Sequence, residues 1–505
     1  MYQRSLPSFA SLGAFLSHLE DKGVSRTIAA RVSMRLELTE IHRKVIAAGG
    51  PVLRIAQPRD QDGALAKLPV VTNLFGTAER VAWGLGTDIA GLGELGALLA
   101  FLRTPQPPQN LRQARQMLPV ARSALQARPK IVTAPREWRD ADPDFSLLPV
   151  QTCWPGDAGP LITWPVVITR PPGADDASGY NLGVYRMQVI GRDRAILRWL
   201  PMRGGAAHYR AWQARGEDMP VAVVIGADPA TLLAAVMPAP EGVSELALAG
   251  LVGGRRAMLA PCADIPLHVP AGAEIVLEGT VSPSETALEG PFGDHTGYYN
   301  APEHYPVFRL KRLRIRDRAN YLTTFTGRAP DEPSVMGAAL LEVFKPLLRQ
   351  QIPEIVDVWL PPEACSYRIA VIAIAKKYAG QARRVMMGFW SLLPQFSMTK
   401  MLIVVDDDID IRSWPEVMWA VATRMDPVRD LMLVERTPID QLDFASPWEG
   451  LGGKAGFDAT RKIGAETSRE WGVMLEMDAA TRQRVGARWG EFFPEAEKEA
   501  RCDGA

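Results

Sequence analysis

Glu289-Gly290-Pro291-Phe292-Gly293-Asp294-His295-Thr296-Gly297-Tyr298-Tyr299 is the stretch around which the chain reads. It follows Glu285 and a strand-like run, Glu274-Ile275-Val276-Leu277-Glu278. Glu289 and Asp294 stand five positions apart, with Gly, Pro, Phe and Gly between them. Proline fixes φ and glycine admits φ > 0, so the segment is expected to turn sharply. A turn can aim both carboxylates into one cavity, whereas a regular strand puts positions five apart on opposite faces. His295 and two tyrosines follow at once, which crowds acid, base and hydrogen-bonding groups together. Spacing alone favours a solvated Gly-Pro turn, so the rest of the chain has to decide.

The chain has 505 residues, enough for several domains with buried cores. Apolar residues make up 47% and charged residues 23%, the balance of an ordinary globular protein. Lys+Arg and Asp+Glu are both 57, and this zero net charge argues against a nucleic-acid partner. Cys153, Cys262, Cys365 and Cys502 are far apart with no C-x-x-C, which speaks against a disulfide scaffold, a zinc ribbon or an iron–sulfur site. Met1 to Ala10 lacks a signal-peptide pattern, and no apolar run reaches the length of a spanning helix. The expectation is a cytoplasmic protein, with peripheral attachment to the inner face of the membrane left open.

Periodicity predicts helices over Phe9 to Glu20, Met34 to Ala48, Gly76 to Trp83 (N-cap Thr77) and Leu92 to Leu102, with a strand at Leu68 to Phe75. Leu111 to Ala127 has a helical pattern that Pro119 should break. The middle is strand-rich: Pro160 to Thr169, Gly183 to Ile190, Arg194 to Leu200, Asp218 to Gly226, Ala273 to Val281 and Tyr305 to Ile315. Asp228-Pro229 opens one helix there and Ser244-Glu245 another. From Val335 onward helices and strands alternate again, ending in a helix over Ala479 to Phe493. The expected class is a multidomain α/β (α+β) chain: an α/β domain over 1–128, a strand-rich, partly open barrel over 129–330, and a second α/β domain over 331–505.

Further candidate chemistry lies in Asn181 to Arg186, where a neutral oxygen ligand precedes a guanidinium suited to a carboxylate. In Arg198 to Gly205 two arginines and a Gly-Gly pair could face phosphate. Glu245, opening a helix, is a dipole partner or a hard-metal ligand. Asp406 to Asp408 read as a solvated loop at a strand end. Gly450-Leu451-Gly452-Gly453-Lys454 falls short of a P-loop, since Trp448 and Ala455 stand where Gly and Ser/Thr are needed. The six histidines show no H-x-x-x-H pattern and no G-x-S-x-G elbow occurs.

The stretch EGPFGDHTGYYN, with NLGVYR (181–186) and RWLPMRGG (198–205), resembles the UbiD family of decarboxylases. The likeness runs on through QTCWPGDAGPLITWP (151–165), GADPATLLAAV (226–236), TGRAPDEPSV (326–335), FKPLLRQQIPEIVDVWLPPEACSYR (344–368) and MDPVRD (425–430).

The resemblance implies a central split β-barrel of flavin-reductase type, a homohexamer, and a prenylated FMN cofactor made by a flavin prenyltransferase. It also implies a divalent metal, usually manganese, with a monovalent cation such as K+ beside it. By position, Asn181 and Glu245 match the family's metal ligands. Val184, Tyr185, Arg186, Arg198, Trp199, Leu200, Arg203 and Gly204 match its cofactor contacts. Asp294 matches its proton donor, with Glu289 and Arg186 completing a carboxylate–arginine–carboxylate network. Gly204 departs from relatives that carry a histidine ligand near this position, and His208 has no assigned role. The implied reaction is non-oxidative decarboxylation of a 3-polyprenyl-4-hydroxybenzoate in ubiquinone biosynthesis. Alternatives are a (de)carboxylase of a smaller aromatic acid and a non-catalytic flavin-binding scaffold.

Overall fold

A computed structural model of the chain describes residues 4–103, 123–174, 176–237, 244–392 and 396–493. The expected break at Pro105 to Pro108 and most of the Leu111 to Ala127 pattern lie outside the described residues.

The first part of the chain builds a small sheet from β1 (Ser25–Ser33), β2 (Val52–Arg59) and β3 (Val70–Thr72). Helix Leu12–Asp21 covers it, because Leu12, Phe15, Leu16 and Leu19 form one buried stripe and Ser11 caps the Ala14 N–H. Thr77 caps helix Ala78–Gly84 as expected. The predicted helix from Met34 begins only at Glu37, and β1 before it carries no sequence signal because it is mostly exposed.

Strands β4 (Lys130–Ile131) to β16 (Tyr321–Leu322) follow. β4 joins β12 (Met258–Pro261) and β13 (His268–Pro270) in a small sheet, and β16 closes the first sheet beside β3. The large sheet has nine strands: β5 (Trp138–Ala141), β6 (Leu161–Ile162), β7 (Val166–Thr169), β8 (Asn181–Val184), β9 (Met187–Val189), β10 (Arg194–Leu197), β11 (Met219–Ile225), β14 (Ile275–Glu289) and β15 (Glu303–Arg316). Its order is β6-β9-β10-β15-β14-β11-β7-β8, with β5 against β15. β8 is one edge and β9 is next to the other, yet only Tyr185 and Arg186 separate them in sequence. Two residues span only ~7 Å, so the sheet must curl until its edges nearly meet. Register breaks between β14 and β15 at Glu278/Gly279 and Val281/Thr286 supply bends. Every side chain of β11 is buried, so this strand is the spine of the core. The single strand expected over Gly183 to Ile190 is therefore two strands, interrupted at the two residues that bridge the edges.

β17 (Ile355–Trp359), β18 (Ile369–Ile374), β19 (Met401–Asp406), β20 (Leu431–Pro438) and β21 (Leu451–Ala459) form a sheet in the order β17-β18-β19-β21-β20. The inner three run parallel, as an alternating pattern requires. Val385, Met386 and Phe389 of helix Gln381–Leu392 fill one face, while Val417 and Ala420 of helix Trp414–Arg424 fill the other. The Gly-Leu-Gly-Gly-Lys run starts β21. Asp406 is buried rather than solvated, because Arg424 binds both it and Asp408.

Residues 1–376 and 381–460 make one compact unit, and residues 377–380 with 461–505 make a second. In the second, the expected terminal helix is two pieces, Ala479–Ala487 and Trp489–Phe492.

Candidate active site

The bend between the two edges of the large sheet decides where the chemistry sits. Arg186, released from strand pairing at the β8/β9 break, turns its guanidinium to the end of β14. Glu289 is the last residue of that strand and not part of the turn expected to carry it, while Asp294 comes from the loop beyond. Arg186 Nε and Nη2 donate to Glu289 Oε1 and Oε2 at 2.8 and 3.2 Å, a fork on a fully buried carboxylate. Arg186 Nη1 donates to Asp294 Oδ2 at 2.9 Å. The arginine bridges both acids, and the Phe292 ring lies 5.2 Å beneath it.

Arg198, expected among the cofactor contacts, reaches the same cluster. Its Nη1 donates to Asp294 Oδ2 at 3.2 Å and its Nε lies 3.9 Å from Glu289 Oε2. Two residues that sequence reasoning passed over hold the arrangement. Asn300 accepts from Arg186 Nη2 at 2.7 Å and from the Phe292 N–H at 2.9 Å. Asp157 accepts the N–H groups of Cys153, Trp154 and Gly293, which pins the loop below. Asn300 was the last letter of the quoted motif, but a neutral residue after two tyrosines gave no electrostatic signal.

The far side of Asp294 is occupied by His295. Its backbone N–H and its Nδ1 lie 2.8 and 2.9 Å from Asp294 Oδ1. Burial would raise the Asp294 carboxyl, but the His295 hydrogen bond and the Arg186 and Arg198 cations outweigh it and hold the acid well below the usual range. Burial would likewise lower Arg198, yet Asp294 and Glu289 raise it. Cys153 is buried nearby, and desolvation pushes its thiol up to about 12, so it is no nucleophile at neutral pH.

The residues matched to cofactor and metal gather on the β8 side. Gly204 and Gly205 begin helix Gly204–Gln213, whose N-cap, Arg203, makes no side-chain capping bond. A Cβ on Gly204 would lie 1.9 Å from Asn181 Oδ1, and one on Gly205 2.7 Å from Trp199 Nε1, so a larger residue at either position would have to displace one of these side chains. The Trp199 indole N–H is buried without a protein partner. Tyr185 packs edge-on to Trp199 and takes the Gly205 N–H on its hydroxyl. An uncapped helix start, a free indole donor and a nearby arginine make a cradle that fits a phosphate-bearing flavin. Val184 ends β8 half-buried, and Leu200 and Arg203 line a cavity.

Glu245 opens helix Glu245–Gly253, capped by Ser244, and accepts the Leu182 N–H at 3.1 Å, one residue from Asn181. Burial raises its carboxyl. His208 is engaged with Thr169 Oγ1 at 2.9 Å. Among the described residues no three His, Cys, Asp or Glu side chains cluster as a cage. Asn181 and Glu245 offer oxygen donors of the kind a hard cation takes, and would supply two of its ligands.

The cavity, about 570 Å³, runs from Leu200 and Arg203 to the C-terminal sheet. Leu340, Leu341, Phe344, Phe396, Ile439 and Leu442 give it an apolar wall, and Tyr367 and Asp440 a polar end. No single described helix is long and apolar enough to cross a membrane.

Three family models match the chain in succession, described as the N-terminal domain (16–99), the Rift-related domain (127–329) and the C-terminal domain (334–459) of 3-octaprenyl-4-hydroxybenzoate carboxy-lyase. Among solved structures, the UbiD-class enzyme HmfF from Pelotomaculum thermopropionicum in complex with FMN is similar at 28% identity. That match covers 92% of this chain and 97% of that one, with a TM-score of 0.75. An evolved dimeric form of the same enzyme, in complex with prFMN, matches at 28% identity and TM-score 0.73, covering 94% and 100%. Vanillic acid decarboxylase from Sedimentibacter hydroxybenzoicus in closed form is similar at 25% identity and TM-score 0.81, covering 97% and 99%.

Proposed function

The chain belongs to the UbiD family of carboxy-lyases, and from that premise we propose that it is a prenylated-FMN-dependent decarboxylase of 3-polyprenyl-4-hydroxybenzoate, yielding a 2-polyprenylphenol for ubiquinone. The observation that carries the reading is the Glu289–Arg186–Asp294 bridge, built where the sheet edges meet and connected through His295 to an apolar cavity.

An aromatic acid that loses CO2 leaves its bonding electron pair on a ring carbon, and no side chain is an adequate sink for it. When bound, the flavin supplies that sink. The protein's own work is positional and protonic. Trp199, Arg203 and the Gly204–Gly205 helix start would hold the flavin phosphate, with Asn181 and Glu245 sharing a manganese ion; K+ is a further candidate there. Arg186 fixes Glu289 and Asp294 relative to one another by hydrogen bonds to both. Asp294 gives a proton to the vacated carbon, and must carry one at that moment.

The apolar cavity wall supports a lipid-tailed substrate, taken at a membrane surface without a spanning helix. The likeness to a vanillic acid decarboxylase favours a second reading, a smaller aromatic acid. CO2 release from prenylated and unprenylated 4-hydroxybenzoate separates the two. The assembly expected on this reading is a homohexamer, measurable by light scattering.

The test is co-production with a flavin prenyltransferase, followed by mass spectrometry of the released small molecule and an assay of Asp294→Asn. Prenylated FMN should be retained by that variant while turnover falls by about 10²- to 10⁴-fold. Normal turnover would remove Asp294 as the acid. A folded chain without flavin would undo the decarboxylase reading, as would bound cofactor with no CO2 release from any aromatic acid.

A further inference from the structure

The resting state of Asp294 poses a problem that its neighbours answer. Two arginines hold its carboxylate ionised, yet the reaction needs it protonated once per turnover. We propose that His295, held between Asp294 and Asp440, is the residue that loads the proton onto Asp294 in each cycle. The inference rests on Asp294 being the acid.

The geometry is a short chain of ionisable groups across two sheets. His295 Nδ1 lies 2.9 Å from Asp294 Oδ1, and Nε2 lies 3.6 Å from Asp440 Oδ2. Asp440 follows β20, and is itself fixed by the Tyr367 hydroxyl at 2.9 Å and by Arg368 at 3.3 Å. Nε2 is buried and has no hydrogen-bond partner other than this near contact. Carboxylates on both sides favour an imidazolium, which donates from both nitrogens. The charged groups around the ring are Asp294 with Arg186 and Arg198 behind it, Asp440 with Tyr367 and Arg368, and Asp331, whose carboxyl feels the imidazolium. Burial would lower the imidazole, but its contacts with Asp294 and Asp440 raise it to about 9.

The imidazolium passes its Nδ1 proton to Asp294 Oδ1, which leaves a neutral ring protonated at Nε2 against Asp440. The C–C bond to the carboxylate breaks, CO2 leaves, and Asp294 forms the new C–H bond with that proton. One proton from solvent recharges the imidazole after product departs. His295 acts through Asp294 and Asp440 through His295, so both are positioning residues.

The test uses the loaded full chain together with the apoprotein. His295→Gln should lower kcat by about 100-fold, the lower end of what a positioned acid supplies, with little change in KM. In wild type kcat should fall as pH rises through about 9. Asp440→Asn should bring that limb down toward about 6.5, the value of an unperturbed imidazole. In the apoprotein, ¹⁵N-histidine NMR, with His295→Gln identifying the resonance, should find the ring doubly protonated at pH 8 in wild type and neutral there in Asp440→Asn. A neutral His295 at pH 7 in wild type would overturn the proposal, as would an Asp440→Asn enzyme with an unmoved pH limb. If wild type releases no CO2 from any aromatic acid, the decarboxylase reading fails, and the proton-loading role fails with it whatever the NMR shows.

Discussion

Arg186 carries more of the site than any other described side chain, because among the described residues it alone binds both acids and Asn300. Arg186→Ala would leave Glu289 fully buried with Arg198 as a distant partner, at a cost of about 3–5 kcal/mol. A lowered urea midpoint at unchanged m-value is the expected readout. Arg186→Lys keeps the charge but loses the fork, so stability should recover in part while activity does not. The pH dependence of stability tests the same cluster. The His295 value is raised from about 6.5 to about 9, so its contribution is complete below about 6.5 and is lost as pH rises through 9. Asp294 and Asp440 are depressed, so theirs is present above the usual carboxylate range and is lost as pH falls through their folded values. The His295 contribution, on the order of 3 kcal/mol at most, should therefore be lost between pH 6.5 and 9, and His295→Gln should lack that component of the wild-type profile. Glu289, Asp294 and Arg186 were legible because acids and a cation stand in two short, turn-rich motifs. Asp440 was not, since nothing in sequence ties it to His295 until the C-terminal sheet folds.

Elements were legible where a local cause sits in the sequence. Thr77, Asp228 and Ser244 cap their helices through side-chain oxygens, and each start could be read from a single residue. β21 was missed because glycines mask its alternation, and buried Lys454 is satisfied by the backbone carbonyls of Ser397, Thr399 and Pro438 rather than by an acid. The β8/β9 break was missed because strand-forming residues flank Arg186 on both sides and hide a change of pairing partner. Close helix packing is equally invisible to a pattern. Helix Ile89–Arg103 contains Gly93 and Gly96, alike in sequence. A Cβ at Gly96 would lie 2.2 Å from the Val343 carbonyl of helix Glu332–Gln351, while one at Gly93 meets nothing within 4 Å. Gly96→Ala should destabilise by about 1–3 kcal/mol. Gly93→Ala should stabilise by about 0.5–1 kcal/mol through helix propensity. Thermal melts of the two variants should move in opposite directions, and equal shifts would contradict the packing.

At the scale of the whole molecule, the order of α/β, strand-rich and α/β segments follows from alternation, but the cavity does not. Its walls come from 200–203, 333–344, 360–367, 396–398 and 438–450, stretches brought together only by folding. That assembly is where substrate choice must lie, because the Glu289–Arg186–Asp294 bridge would serve any aromatic acid alike. Gly337 lines the cavity from helix Glu332–Gln351 and has open space where a Cβ would stand. Gly337→Leu can therefore be accommodated, and its side chain would occupy volume that a prenyl tail needs and an unprenylated ring does not. Losing even one or two methylene-sized contacts is worth about 10- to 200-fold in kcat/KM. The expected result is a fall of that size for prenylated 4-hydroxybenzoate, with turnover of any unprenylated acid changed by less than about twofold. If both substrates lose activity equally, the cavity does not hold the tail, and the choice of a lipid-linked substrate over a small one loses its structural support.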